Sequence, residues 1–597
     1  MMLREIFLMN YYTMLLARVW VFSSLLLVSI SFAQPSEIDS SEGGRPNIIL
    51  ILTDDQGYGD LGITGNPIID TPHIDALARE SASMTTFYVS PVCAPTRASL
   101  MTGRYNYRTR VIDTFMGRSM MEPEEVTVAE ILKEAGYATG IFGKWHLGDC
   151  YPMRPIDQGF DEALVLRGGG LAQPSEPIAS GRRYTDPILI HNGTEVATRG
   201  YCTDVYFEAA TGFINRSRAS GKPFFVYLPT NAPHGPFHDV PGDLYKKYKN
   251  RDLTPVLVGR NQDADTVARV FAMVENVDQN VGRLMDRLEK DGLARNTIVI
   301  FMVDNGPNSR RYVGPFRGMK TEVHEGGIRS PFFVRWPARL QAGSRSDRIA
   351  AHIDVLPTLL EAAGVPVPDH LRLDGRSLLP LLEGKQVEWP ERTLFVQTHR
   401  GDVPVKGHHF AVRDQEWKLV HPTGFGRNQP IADVPLELYD MSADPGEENN
   451  VASSRPEVVR RLKRDYEERF ADVSSTRSDN YAPPRIILGT DHETRTVLTR
   501  QDWRVSGDQG WGRGGRWLLD FAAAATYDIE LAWPEPVAPG FVQFEIGSLL
   551  LRRTLTQSTR SMVLEGVHVP PGQADLRVVL SREGSVDDPY HVILVRR

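Results

Sequence analysis

Four short apolar runs in this sequence each stop abruptly at residues able to do chemistry. Asn47-Ile-Ile-Leu-Ile-Leu-Thr53 ends in Asp54-Asp55. The run 138–142 leads into Gly143-Lys144-Trp145-His146, 224–228 leads toward Asn231-Ala-Pro-His234, and 298–303 leads into Asp304-Asn305-Gly306. Runs without polar alternation are what strands buried on both faces of a largely parallel sheet require. Helical periodicity lies between them, at 128–135 and 267–290. Strands alternating with helices predict an α/β fold built on a central, largely parallel sheet. Ligands of such open sheets bind beyond the carboxyl ends of the strands. The four polar endings are therefore expected at one edge.

The chain has 597 residues, more than one simple domain needs. The α/β pattern covers 46–384. After about 385 it changes: 410–420 and 436–439 read as antiparallel strands and 456–470 as a charged amphipathic helix, which predicts a smaller α+β unit over 385–480. From 484 to 597, short β-like runs at 515–521, 526–532, 542–546, 574–580 and 591–595 are separated by Gly and Pro turns, the signature of an additional β-sandwich.

At the N-terminus, Arg18 precedes an apolar run over 19–30, and Ser31-Phe32-Ala33 offers small residues for cleavage. This is the pattern of a secretory signal peptide over 1–33, too short in its apolar part for a stable membrane span. A polar linker follows at 34–45, and the expected location is secreted or periplasmic. The formal net charge of −8 carries no basic footprint for nucleic acid. With only three cysteines, Cys93, Cys150 and Cys202, the fold does not rest on a disulfide framework. If Cys93 is used chemically, Cys150 and Cys202 are left either as a pair or as two buried thiols.

Cys93-Ala94-Pro95-Thr96-Arg97 is the sharpest local signal. Read alone, it is a cysteine at a helix start, with Pro in the first turn and the helix continuing through Ala98 to Met101. A helix N-terminus favours anions, so even that reading describes an anion site with a reactive side chain. Cys-x-Pro-x-Arg followed by Ala-Ser-Leu-Met-Thr-Gly-Arg (98–104) resembles the signature of the type I sulfatases, of the alkaline phosphatase-like superfamily. Asp54-Asp55-Gln56-Gly57, Gly143-Lys144-Trp145-His146-Leu147-Gly148, His234 in Ala-Pro-His-Gly-Pro, Asp304-Asn305-Gly306, and Lys320 before Glu325-Gly326-Gly327-Ile328-Arg329 match further family motifs in order, over roughly 46–475.

The resemblance implies that Cys93 is oxidised by a formylglycine-generating enzyme to Cα-formylglycine (3-oxoalanine), that the aldehyde is hydrated, and that one hydroxyl attacks sulfur while the second later expels sulfate. Asp54, Asp55, Asp304 and Asn305 offer hard oxygens. These suit one calcium ion better than zinc or copper, with magnesium the less favoured choice, and residue 93 would join them on the metal. Arg97 would hold the modified residue, and Lys144 would contact sulfate or diol. His146, two residues on and sharing a face with Lys144 in an extended segment, would act as base. His234 and Lys320 would bind sulfate and protonate the leaving oxygen, with the main acid left open between them. One departure stands out: where several relatives place a serine, this chain has Leu166-Arg167-Gly168-Gly169-Gly170.

The substrate is expected to be a sulfated carbohydrate. Candidate contacts are Arg167, Arg310 and Arg311, with Arg182, Arg183, His399, His408 and His409 in the neighbouring loops. Trp503, Trp511, Trp517 and Trp533 could stack on sugars or fill the sandwich core. Two other readings compete. One is a phosphate or phosphonate monoester hydrolase on the same fold. The other is a non-catalytic carbohydrate-binding protein, against which every expected catalytic position is filled.

Overall fold

The computed structural model describes residues 44–259, 263–426, 433–477, 479, 481–505, 511–582 and 584–597. The expected signal peptide lies outside the described residues. Asn47–Thr53 is the central strand of a ten-stranded sheet. It pairs in parallel with Phe224–Pro229 on one side and Thr297–Val303 on the other. Ala138–Lys144 and Glu162–Leu166 extend the parallel core. Antiparallel strands close both flanks: Phe332–Arg335 beside Thr297–Val303, and the hairpin Ile188–His191 with Thr194–Ala197.

The lack of alternation in these runs has the expected cause. Ile48, Leu50 and Leu52 point into one apolar cluster, and Ile49 and Ile51 into another on the opposite face. Each such side chain withdrawn from water contributes on the order of 1.5–3 kcal/mol before chain entropy is counted. The helix Ala264–Lys290, capped by the Asp263 side chain on Thr266 N–H, lays Met273, Val277, Val281, Leu284 and Leu288 on that second face. Their spacing of three and four is what a helix needs to present one stripe.

Beyond the central sheet, Leu394–Gln397, Phe410–Arg413, Trp417–His421 and Glu437–Asp440 form a four-stranded antiparallel sheet covered by the helix Pro456–Ser474. The run expected as one strand over 410–420 is a hairpin. Asp414 Oδ1 accepts from the Glu416 and Trp417 amides, which turns the chain at a point where the hydrophobic pattern alone shows no break. On the helix, Leu462, Tyr466, Phe470 and Val473 meet this sheet, with the Tyr466 and Phe410 rings stacked 3.6 Å apart.

The C-terminal residues build two further sheets. One runs Ile486–Leu488, Arg516–Phe521, Gly572–Arg582, Gly540–Ile546, Leu549–Leu555; the other runs Arg495–Thr499, His591–Arg596, Ala525–Val537, Thr559–Val569. Alternate residues of both share one apolar cluster, which also takes in Met120, Cys150 and Met153 from the α/β part. Arg45–Arg597 accordingly form one compact unit. Cys150 and Cys202 are separate, buried, free thiols.

Candidate active site

The parallel strands deliver their polar endings to one place, and their tails lock one another there. Asp54 N–H donates to Ala232 O, Thr230 N–H to Leu52 O and Asp304 N–H to Thr53 O. Gly143, at the end of Ala138–Lys144, has φ 144° and lies so close to the neighbouring strand that a Cβ would stand 1.9 Å from Pro229 O. Only glycine lets the two strand ends approach this closely. Cys93 opens the helix Cys93–Thr102, of which every residue is buried.

The charges at this edge are interleaved. Arg97 donates to Asp304 Oδ2 at 2.8 Å and to Lys144 O at 2.7 Å. Lys144 Nζ sits 2.6 Å from Asp54 Oδ2, and all four of these side chains are fully buried. Lys320 Nζ is 2.6 Å from Asp55 Oδ1, and His234 Nε2 is 3.6 Å from Asp55 Oδ2. Asn305 Nδ2 also donates to Asp55 Oδ1. Burial works against the Asp55 carboxylate, but Lys320, His234 and Lys144 outweigh it and hold its pKa below the ordinary range. Burial, aided by the neighbouring Asp54 charge, pushes Asp304 up to about 7.

The cluster fits a divalent cation on two counts. Ligand atoms of Asp54, Cys93 and Asp304 lie within 4.8 Å of one another. Asp54 Oδ1, Asp55 Oδ2 and Asn305 Oδ1 are buried acceptors that receive no hydrogen bond. Such orphans are rare because they forfeit their solvation, and a cation would satisfy them while keeping Asp304 ionised. The donor set is hard apart from the Cys93 sulfur, and oxidation of that residue would make it all oxygen.

The two histidines are held in defined tautomers. His146 Nε2 is 2.7 Å from Thr114 O, which can only accept, so Nε2 carries the hydrogen. Nδ1 is left as a buried acceptor without a hydrogen-bond partner. Burial and the Lys144 charge hold His146 well below its ordinary pKa, hence neutral. In His234 the relation is reversed: Nδ1 donates to Gly235 O at 2.7 Å, and Nε2 faces Asp55. Burial raises the Cys93 thiol pKa against the pull of Lys144 and Lys320, so the unmodified side chain would stay a thiol and a poor nucleophile.

This geometry agrees with what the chain resembles as a whole. The sulfatase family model matches residues 46–365. The chain belongs to the sulfatase family. A second model, N-sulphoglucosamine sulphohydrolase C-terminal, matches residues 319–473 of this sulfatase. The N-acetylgalactosamine-6-sulfatase of Canis lupus familiaris is 34% identical over 60% of this chain and 69% of its own length. Human arylsulfatase A is 32% identical over 70% of this chain and 86% of its own. Among solved structures, Ps i-CgsB in complex with k-i-k-neocarrahexaose aligns with a TM-score of 0.62 at 30% identity, over 73% of this chain and 95% of that one. The protein is a sulfuric ester hydrolase with an alkaline phosphatase-like fold.

The structure brings Cys93, Arg97, Lys144, His146, His234 and Lys320 together with Asp54, Asp55, Asp304 and Asn305. It does not bring the expected substrate arginines there as free groups. Arg311 is fully buried on Asp60 at 2.6 Å and donates to Asp55 O, so it braces the Asp55 loop and cannot reach a substrate. Arg167 is likewise buried, paired with Glu195 at 2.9 Å. Arg310 remains exposed. His399, His408 and His409 are buried, and His409 Nε2 donates to Thr321 O beside Lys320. Trp503, Trp517 and Trp533 fill the C-terminal core, whereas Trp511 is half-buried, edge-on to Phe115.

The glycine-rich departure is part of the site wall of this sulfatase. A Cβ on Gly169 would lie 2.5 Å from His146 Nε2, and one on Gly170 3.0 Å from His234 Cε1. Both positions also abut the Gln173 amide. Sequence reasoning missed Gln173 and Thr114, which carry no motif. A run of three glycines was the only available hint that backbone passes this close to the two rings.

Proposed function

We propose that this sulfatase removes sulfate esters from an oligosaccharide derived from an extracellular sulfated polysaccharide, using formylglycine at position 93 and one bound calcium ion. The observation that carries the reading is the cluster at the strand ends, where four oxygen-bearing side chains (Asp54, Asp55, Asp304, Asn305) and five basic ones (Arg97, Lys144, His146, His234, Lys320) surround the start of the Cys93 helix. The names of the relatives support the carbohydrate part: an N-acetylgalactosamine-6-sulfatase at 34% identity, and a solved structure holding a neocarrahexaose at 30%. Exposed Arg310 in one loop, and exposed Arg182 and Arg183 in another, offer guanidinium groups to further sulfates or uronates.

In this account calcium, when bound, neutralises sulfate charge and orients the sulfur. Once oxidised and hydrated, residue 93 supplies the attacking hydroxyl. Arg97 and Lys144 hold residue 93 and the sulfate through fixed, fully buried charges. His234 and Lys320 lie on the solvent-reaching side of Asp55, where a leaving oxygen would take its proton. His146 Nδ1, neutral and without a hydrogen-bond partner, accepts the proton whose removal releases sulfate.

We read the two C-terminal sheets as an accessory β-sandwich that braces the α/β part, and segment 1–33 as the export signal that brings the enzyme to its maturation partner and to polysaccharide. Among the described residues no helix is long and apolar enough to cross a membrane. The test measures sulfate release from sulfated mono- and oligosaccharides of animal and algal glycans beside an aryl sulfate and the matching aryl phosphate. Preference for an oligosaccharide supports the proposal. Preference for the simple aryl sulfate sinks the carbohydrate reading, and preference for the phosphate sinks the sulfate one.

A further inference from the structure

Buried acceptor oxygens without donors gather at a second place in this protein. At the strand ends, that signature belongs to Asp54, Asp55 and Asn305. The other group consists of Asp149 Oδ2, Gln501 Oε1 and both carboxylate oxygens of Asp502, none of which receives a hydrogen bond among the described residues. Asp149 follows the Lys144–His146 segment, while Gln501 and Asp502 follow the strand Arg495–Thr499. Gln501 is 1% and Asp502 3% exposed, so bulk solvent does not supply the missing donors. Gly168 ties the group together. Its amide donates to Asp149 Oδ1 at 3.1 Å, and a Cβ on it would lie 3.5 Å from Gln501 Oε1.

Arg167 attracts both carboxylates from a distance, but the ion pairs of the nearby cations go to other partners. Arg167 is held by Glu195 at 2.9 Å; Arg154 is held by Asp157 at 2.7 Å and by Glu493 at 3.4 Å. A buried carboxylate without compensation costs several kcal/mol, and a second carboxylate charge close enough to act on it adds to that cost. Burial and the Asp149 charge accordingly raise the Asp502 pKa well above the ordinary carboxylate range.

We propose that Asp149, Gln501 and Asp502 hold a second divalent cation, calcium by its preference for carboxylate and amide oxygens, between the His146 segment and the C-terminal sheets. Such an ion reaches the active site through one side chain. Gln501 gives its Oε1 to the ion and donates Nε2 to Thr114 O at 2.8 Å and to Ser119 Oγ at 2.8 Å. Thr114 O is the same carbonyl that fixes the His146 tautomer. Gln501 is thus a positioning residue, and the ion is its anchor.

The proposal stands independently of calcium at the strand ends, and ion counting separates the two. Full-length protein is stripped of metal, equilibrated with calcium and analysed for bound ion, alongside Asp304→Asn and Asp502→Asn. Two ions per chain in the parent and one in each variant support it. One ion in the parent, kept by Asp502→Asn and lost by Asp304→Asn, overturns it and means that the two carboxylates share a proton instead. One ion kept by Asp304→Asn and lost by Asp502→Asn upholds the second site and sinks the first. If Asp502→Asn fails to fold, the count in Asp304→Asn decides: one ion retained supports the site and none overturns it. Gln501→Met keeps both carboxylates and cuts the link to Thr114. It should lower kcat about tenfold with KM unchanged and shift the pH profile of kcat. An unchanged profile overturns the coupling to His146.

Discussion

At the strand ends the interior is built from charge, and in the C-terminal sheets from hydrocarbon. Arg97, Lys144, Asp54 and Asp304 are as fully buried as Trp503, Leu519 and Phe544. The first group is stable only as a set, because removing one partner strands another charge, at about 3–5 kcal/mol. The second group loses energy in proportion to the surface each side chain hides, one residue at a time. Chemistry therefore sits where the structure can least tolerate change. In the apolar part a substitution costs only what its own side chain buries, yet that part is fastened to the catalytic part, since Met120, Cys150 and Met153 lie in its core.

The largest expected effect separates these two kinds of interior. Cys93→Ala should lower turnover by at least about 10³-fold, as loss of a nucleophile does. Its melting temperature should stay close to the parent's, because one small side chain at a helix start adds little to the core. Sulfate release and a thermal melt check both halves. Next comes the junction: deleting 484–597 uncovers the Met120, Cys150 and Met153 side chains and removes Gln501 from Thr114. We expect loss of soluble, active enzyme even on a small aryl sulfate. Full activity of the truncated chain would show that the two interiors are independent.

His146→Gln should cost about 10²–10⁴-fold in kcat, the range for a general base, with folding largely intact. Trp517→Ala should cost about 3–5 kcal/mol of stability in denaturant, and that cost should be the same with or without chelator. Chelation should in contrast lower the stability of the parent chain, because it leaves Asp54 Oδ1, Asp55 Oδ2 and Asn305 Oδ1 buried without a partner.

The smallest effect is a slope with pH. Burial holds His399 and His409 at about 4, against about 6.5 when unfolded. Below pH 6.5 the unfolded chain takes up protons that the folded chain refuses, so stability falls from pH 6.5 toward 4, by at most about 3 kcal/mol per histidine. His409→Gln should flatten that slope in urea titrations taken across the window.

Much of this arrangement could be read from the residues. The four strand ends declared themselves because an apolar run buried on both faces must end where a polar pair begins, and the motifs at those ends are local in sequence. What could not be read depends on partners far along the chain. Arg167 and Arg311 look like substrate arginines until Glu195 and Asp60 are found beside them. The Thr114 carbonyl has no side-chain signature at all, and Gln501, which grips it, lies 387 residues away. The hairpin within 410–420 was hidden because its turn is set by Asp414, a residue common in strands' flanks as well as in turns.

The central claim, that residue 93 works as an aldehyde, is open to one direct measurement. Mass spectrometry of catalytically active, wild-type protein should find the peptide containing residue 93 lighter than its thiol form, and the aldehyde fraction should track specific activity across preparations. An active preparation whose residue 93 is entirely thiol would contradict the account.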